Sequence, residues 1–244
     1  MQKLKWILVG LIGALVVGAA GFVIWAGTPL AATAEASAAL QPDELVQVTE
    51  QNGWMIFQPA AGEPSTGFIF YPGGRVDARA YAPLVRDIAA QGYLAVIVPM
   101  PLNLAIFGVN AAADVQAAFP NIQTWAVGGH SLGGAMAARY AQASPVAGLV
   151  LWASYPDIDL SQKPLAAVSI YGTRDGVANA ESLQNSRALM PPGTRWAAIE
   201  GGNHSGFGSY GLQPGDNEAT ISADEQRAQV VAVTVELLAS LQAP

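Results

Sequence analysis

The chain has no cysteine and only two histidines among its 244 residues. Without cysteine there is no disulfide, no thiolate nucleophile and no cysteine-ligated metal, and two imidazoles are too few for most zinc sites. No metal site is therefore expected, and no other cofactor is called for. Basic residues are also scarce: 11 Lys and Arg stand against 18 Asp and Glu, giving a formal net charge of −7, and they are scattered along the chain. A nucleic-acid groove needs clustered cations to neutralise phosphates, so nucleic acid finds no support as a partner and small-molecule chemistry is favoured. No obligate protein partner is expected either.

What the chain does have is apolar residues, 52% of the total, enough to fill the core of one large α/β domain. Some of them form a separate run at the start. From Trp6 to Ala26, "WILVGLIGALVVGAAGFVIWA" carries no charge over about twenty-one residues, long enough as a helix to cross a hydrocarbon core of about 30 Å. Lys3 and Lys5 precede the run and no basic residue follows until Arg75, so the rest of the chain should lie outside the cytoplasm. The competing reading is a cleaved signal, because "ATAEASA" at 32–38 offers small residues at A-x-A spacing. Residues 1–28 are thus expected to be a membrane anchor or uncleaved signal, 29–44 a linker of small residues, and 45–244 the domain proper.

After Leu45, short β-rich runs alternate with helical patterns, which is the signature of a mostly parallel sheet covered on both faces. "LVQVTE" and "GWMIFQPA" look like an opening antiparallel pair, and six more runs follow, from "GFIFYPGG" to "RWAAIEGG", for about eight strands. Tyr81, Leu84, Val85 and Ile88 repeat at helical spacing. Ser222 and Glu225 can form a capping box at the start of the last helix, ahead of Val230, Val231, Thr234, Leu237, Leu238 and Leu241. In such sheets ligands bind beyond the carboxyl ends of the strands, so the residues that end each run are where chemistry should be sought.

One of those ends carries Gly129-His130-Ser131-Leu132-Gly133, a G-x-S-x-G between a strand-like run and a small-residue helix. A turn sharp enough to lift a serine hydroxyl off the sheet brings helix and strand so close that side chains at 129 and 133 would obstruct it. A hydroxyl is protonated at neutral pH, so a nucleophilic Ser131 needs a base and a group to orient that base. Of the two histidines, His130 should point away from its neighbour and pack the turn. That leaves His204, in the glycine-rich loop "EGGNHSGFG" after the last strand, as the base. For the acid, Asp175 follows the strand ending at Tyr171, with Asp157 and Asp159 after the preceding strand as rivals. Asp175 is preferred because it follows the second strand after that of Ser131, in the chain order Ser, Asp, His.

Ser131 in "GHSLG", Asp175 in "GTRDG" and His204 in "GGNHSGFG", with the strand order, resemble the α/β-hydrolase superfamily over about residues 45–242, and especially its small esterase and dienelactone-hydrolase-like members. Dienelactone hydrolases use a cysteine where this chain has Ser131. The resemblance implies an oxyanion hole made by the N–H of Leu132 and one from the loop "FYPGGRVD", where it points to Gly74, with Gly73 or Arg75 possible by a shift of one. Apolar residues near this edge, in "MPLNLAIF" (100–107), Trp152, Tyr155, Phe207 and Tyr210, are candidates for an acyl pocket. Few residues separate Tyr155 from the next strand, so no inserted lid is expected. The implied activity is hydrolysis of a small ester, lactone or thioester through an acyl-enzyme. The alternatives are acyl transfer on the same residues or a membrane-tethered binding module without catalysis.

Overall fold

The structure, a computed structural model, describes residues 2–242, so Met1 and the final two residues of the expected domain lie outside it. Aliphatic and aromatic residues fill the runs between turns and form the strands of one sheet: β1 (Val46–Gln51), β2 (Trp54–Pro59), β3 (Thr66–Tyr71), β4 (Leu94–Ile97), β5 (Thr124–His130), β6 (Gly148–Trp152), β7 (Ala166–Gly172) and β8 (Arg195–Ile199). Asn52 and Gly53, both with positive φ (54° and 79°), make the tight turn that folds β2 back on β1. The strand order is β1-β2-β4-β3-β5-β6-β7-β8, with β1, β2 and β4 antiparallel in turn and β3 to β8 all parallel.

Among the described residues seven α-helices accompany the sheet: α1 (Gln2–Ala26), α2 (Ala34–Ala38), α3 (Ala82–Ala89), α4 (Ala111–Ala118), α5 (Leu132–Ala143), α6 (Ala180–Asn185) and α7 (Ala223–Ser240). The two-residue period of the strands divides the core. Phe68 and Phe70 of β3 face α3 and α7 together with Trp152 and Val230, while Ile69 and Tyr71 face α4 and α5 with Val127, Met136 and Tyr140. Helix α7 begins at the expected capping box, Ser222 Oγ accepting from the N–H of Glu225 and the Glu225 carboxylate accepting from the N–H of Ser222. The chain leaves β3 for β4 on one side and returns to β5 on the other. The loops after β3 and β5 therefore meet at the point where the winding reverses, the place where open sheets bind ligands.

Segment 29–44, expected as a linker, is pinned to the domain. Leu30 makes a parallel bridge with Val76, its N–H donating to the Arg75 carbonyl (2.7 Å) and its carbonyl accepting from the Asp77 N–H (2.9 Å). Ala36 in α2 is fully buried, Glu35 pairs with Arg227, and Arg86 Nη1 donates to the Gln41 carbonyl (2.7 Å). The small residues that gave the segment the look of a tether are the ones that let it lie close to the surface beneath. Of the span Trp6–Ala26, which has mean hydropathy 2.7 and is long and apolar enough to cross a membrane, only the end, Ala26, is buried against the domain among the described residues.

If this docking is part of the fold, a chain starting at Leu45 should melt at least about 5 °C below one starting at Gly27, since each kcal/mol is worth about 2–4 °C at this size. Equal melting temperatures in a calorimeter would mean the segment contributes nothing.

Candidate active site

Ser131 stands alone between β5 and α5 with φ 50° and ψ −122°, a conformation that costs a non-glycine residue about 1–3 kcal/mol. Its surroundings over-determine it. The Ser131 N–H donates to the Trp152 carbonyl (3.0 Å), and its own carbonyl accepts from Ser154 Oγ (2.7 Å) and the Ala135 N–H (3.2 Å). The two glycines are required for the reason expected. A Cβ on Gly129 would sit 2.5 Å from the Gly133 carbonyl carbon and 2.6 Å from the Tyr71 oxygen, and one on Gly133 would overlap the carbonyls of Tyr71 and Pro72.

Pairing of β7 with β8 brings the next two residues together, because the Gly172↔Ile199 register puts the turn after β7 beside the loop after β8. There His204 Nδ1 and Asp175 Oδ2 are 2.8 Å apart, with both side chains buried. Asp175 Oδ1 accepts from the N–H groups of Val177 (2.8 Å) and Ala178 (2.7 Å), which fixes the carboxylate's orientation. The rival carboxylates are committed elsewhere: Asp157 is paired with Arg139 at the surface and Asp159 accepts from the Ser161 N–H. His204 Nε2 is buried and makes no hydrogen bond, with Ser131 Oγ or with any other group among the described residues. Its ring lies 4.4 Å from the ring of His130, the residue preceding Ser131, so the imidazole sits beside the β5–α5 turn.

His130 packs the turn, as its position suggested. Tyr81 Oη accepts from the Gly73 N–H (3.0 Å) and shares a hydrogen bond with His130 Nδ1 (2.9 Å), while Phe207 stacks on the imidazole at 5.8 Å. Burial, with the neighbouring His204 ring, holds the His130 pKa well below the usual histidine value, so this imidazole stays neutral. The sequence reading missed Asp216. Its Oδ2 accepts from both Ser205 N–H (2.7 Å) and Ser205 Oγ (2.6 Å), and its Oδ1 from the N–H groups of Gly176 (2.9 Å) and His204 (3.4 Å). One carboxylate thus ties the aspartate turn to the histidine loop. Burial raises its pKa, but these hydrogen bonds together outweigh burial and hold it below the ordinary carboxyl range. In sequence "QPGDN" reads as a turn, and nothing local distinguishes Asp216 from a turn former.

The three candidates for the second oxyanion donor separate cleanly. The N–H of Gly73 is taken by Tyr81 Oη and that of Arg75 by the Asn103 carbonyl (2.8 Å). Among the described residues, no acceptor claims the Gly74 N–H, and Gly74 lies against Leu132, whose N–H opens α5 without a partner in its own helix. Ser131, Gly74, Leu132, Leu104, Trp25 and Pro214 line one cavity of ≈ 410 Å³. Of the residues expected in an acyl pocket, Leu104 lines it. Trp152 instead belongs to the core, with its Nε1–H donating to Thr234 Oγ1 (3.1 Å), and Phe207 and Tyr210 pack near His130. No lid is inserted after β6; the walls come from the loop holding Pro214 and from the end of α1.

A profile of the alpha/beta hydrolase family matches residues 67–228, and the chain belongs to that family, a hydrolase by fold and by family. Among solved structures, a thermophilic esterase from the planctomycete Thermogutta terrifontis aligns at 15% identity and TM-score 0.57 over 82% of this chain and 93% of its own. Another structure of that organism's esterase 2 is phosphorylated by paraoxon and aligns at 15% identity and TM-score 0.58, covering 83% of this chain and 98% of its own. A dienelactone hydrolase-like promiscuous phosphotriesterase from metagenomic libraries aligns at 16% identity and TM-score 0.57, covering 77% and 92%. No curated protein matches the chain.

Asp216→Ala, which releases both loops, should destabilise the chain by about 2–4 kcal/mol and lower turnover at least about tenfold; unchanged melting and unchanged kcat would remove Asp216 from the account. Because the folded pKa of His130 lies below its ordinary 6.5, the unfolded chain takes up a proton below that pH that the native state refuses, so stability is complete above pH 6.5 and falls as the pH drops. Urea denaturation at about pH 7.5 and 5.5 should show a loss of up to about 1.4 kcal/mol per pH unit that is smaller in His130→Gln, and identical pH slopes would contradict a neutral buried His130.

Proposed function

We propose that the chain is a membrane-tethered serine hydrolase that cleaves carboxylic esters through an acyl-enzyme, with Ser131 as nucleophile, His204 as base and Asp175 as the residue that orients it. Ser131 Oγ forms a bond to the ester carbonyl carbon as its proton passes to His204 Nε2. The negative oxygen so created is held by the N–H groups of Gly74 and Leu132, each worth about 2.7–4 kcal/mol of transition-state stabilisation. Collapse breaks the bond to the leaving oxygen, which takes the proton from His204 and departs as the alcohol. Water then repeats the sequence, His204 taking its proton and returning one to Ser131 as the acid leaves.

The observation that carries this reading is the state of His204: its Nδ1 is fixed by Asp175, its ring lies 4.4 Å from that of His130, the neighbour of the strained Ser131, and its buried Nε2 has no partner among the described residues. An unsatisfied buried nitrogen costs about 1–3 kcal/mol and calls for a functional reason. A binding module would gain nothing from it. The absent Ser131–His204 hydrogen bond is compatible with catalysis, since such bonds are often long before substrate is bound and tighten in the complex.

For the N-terminal helix we favour an anchor kept in the mature chain, with the hydrolase domain on the extracytoplasmic side. Cleavage anywhere in 32–38 would strip Leu30 from the Arg75–Asp77 backbone, and Trp25 and Thr28, whose carbonyls accept from Arg75 Nε and Nη2 (both 2.9 Å), from the oxyanion loop.

A fluorophosphonate probe should label the wild type at Ser131 and not label Ser131→Ala. Labelling that persists in Ser131→Ala, or fails in folded wild type, would end the proposal. With p-nitrophenyl acetate, Ser131→Ala combined with His204→Ala should be scarcely slower than either single variant, and multiplied losses would contradict a shared role.

A further inference from the structure

We infer that the mouth of the active site faces the bilayer that holds α1, and that the enzyme draws its ester from that bilayer; this rests on the anchored-hydrolase reading above. The end of the apolar helix is built into the site. Trp25 lines the cavity that contains Ser131 and Gly74, the Arg75 guanidinium lies 4.3 Å from the Trp25 ring centroid, and Asn103 Nδ2 donates to the Ala26 carbonyl (2.9 Å). The contacts also fix the depth of the site relative to the helix. Phe107 meets Phe22 edge to face at 6.4 Å, and Phe22 lies four residues inside the span that ends at Ala26. At 1.5 Å per residue, that puts the loop holding Phe107 alongside the span about 6 Å from its end, the depth at which interfacial apolar groups sit.

The sequence of that loop suits such a place. The residues Leu102, Ile106 and Phe107 are 37%, 48% and 50% exposed, and Leu212, next to cavity residues Gln213 and Pro214, is 53% exposed. Exposed large side chains gathered around a cavity mouth mark an interaction surface. The occupant is the adjoining leaflet, because the helix that must be covered by lipid runs directly into this patch and its Trp25 belongs to both. Charge plays little part. The chain carries a net −7, so attraction to anionic headgroups is unsupported and the contact should be apolar and insensitive to salt. Substrate of the matching class is an ester with a long acyl or alkyl chain that partitions into the bilayer and enters the cavity past Leu104 without crossing bulk water.

The lack of native cysteine makes the test direct, since each introduced thiol is unique. Full-length Phe107→Cys, Leu212→Cys and Glu63→Cys, the last at the opposite edge of the sheet, are labelled with an environment-sensitive fluorophore and reconstituted in phosphatidylcholine vesicles with and without brominated acyl chains. Labels at 107 and 212 should be quenched at least about threefold more than the label at 63. Rim labels no more quenched than the control would overturn the inference, as would shielding by a second copy, seen as a dimer with no lipid quenching. In the same vesicles, the polar variant Ile106→Ser with Phe107→Ser should lose about tenfold in kcat/KM on p-nitrophenyl decanoate relative to the acetate. Equal losses on both esters, or none, would count against delivery from the bilayer. Fluorophosphonate labelling of Ser131 and resistance of the chain to carbonate extraction, read on the same samples, report separately on the hydrolase and anchor readings.

Discussion

The geometry of the site depends on one strained residue. A serine at φ 50° persists because a sheet strand and a helix start are pressed together on either side of it, and that approach is possible only where Gly129 and Gly133 have no side chains. Three consequences come from this single constraint. The hydroxyl is held at the carboxyl edge of the sheet, the first N–H groups of α5, without helical partners as at any helix start, are placed next to it, and α5 is drawn against the end of β3 so that Gly74 comes to lie beside Leu132. Relaxing Ser131 into an ordinary turn would disperse all three.

Two carboxylates then divide the work at the other end of the site. Asp175 addresses the imidazole and Asp216 addresses the backbone that carries it, so the orientation of the ring and the position of its loop are set independently. A second histidine 4.4 Å away would oppose a positive charge on His204 if it were charged itself. Burial prevents that: His130 is neutral, and its partner Tyr81 also occupies the Gly73 N–H, which leaves the next N–H, that of Gly74, unclaimed. The packing below the turn and the electrostatics above it thus share the same residues.

Much of this was legible from residue order. The eight strands, the opening hairpin and the α7 capping box follow from local periodicity and turn chemistry, and the glycines around Ser131 announce a close approach in the sequence itself. Asp175 could be preferred to Asp157 only through strand order, and the surface ion pair that occupies Asp157 has no local signal, since Arg139 lies 18 residues away. Asp216 was invisible for the same reason: its role arises from two loops that meet only after β7 and β8 pair. The contacts of segment 29–44 had no local signal, because alanine-rich sequence looks the same in a tether and in a closely packed strap. Trp152 misled because a residue ending a strand can face either layer, and the period placed it in the core with Phe68 and Phe70.

The most direct test of the account is a crystal structure of the chain after reaction with a fluorophosphonate. The account predicts phosphorus bonded to Ser131 Oγ, one phosphoryl oxygen about 2.7–3.1 Å from the nitrogens of both Gly74 and Leu132, and His204 Nε2 turned toward the adduct with its Asp175 bond intact. An adduct on another residue, or one on Ser131 whose oxygens all point away from Gly74 and Leu132, would contradict it.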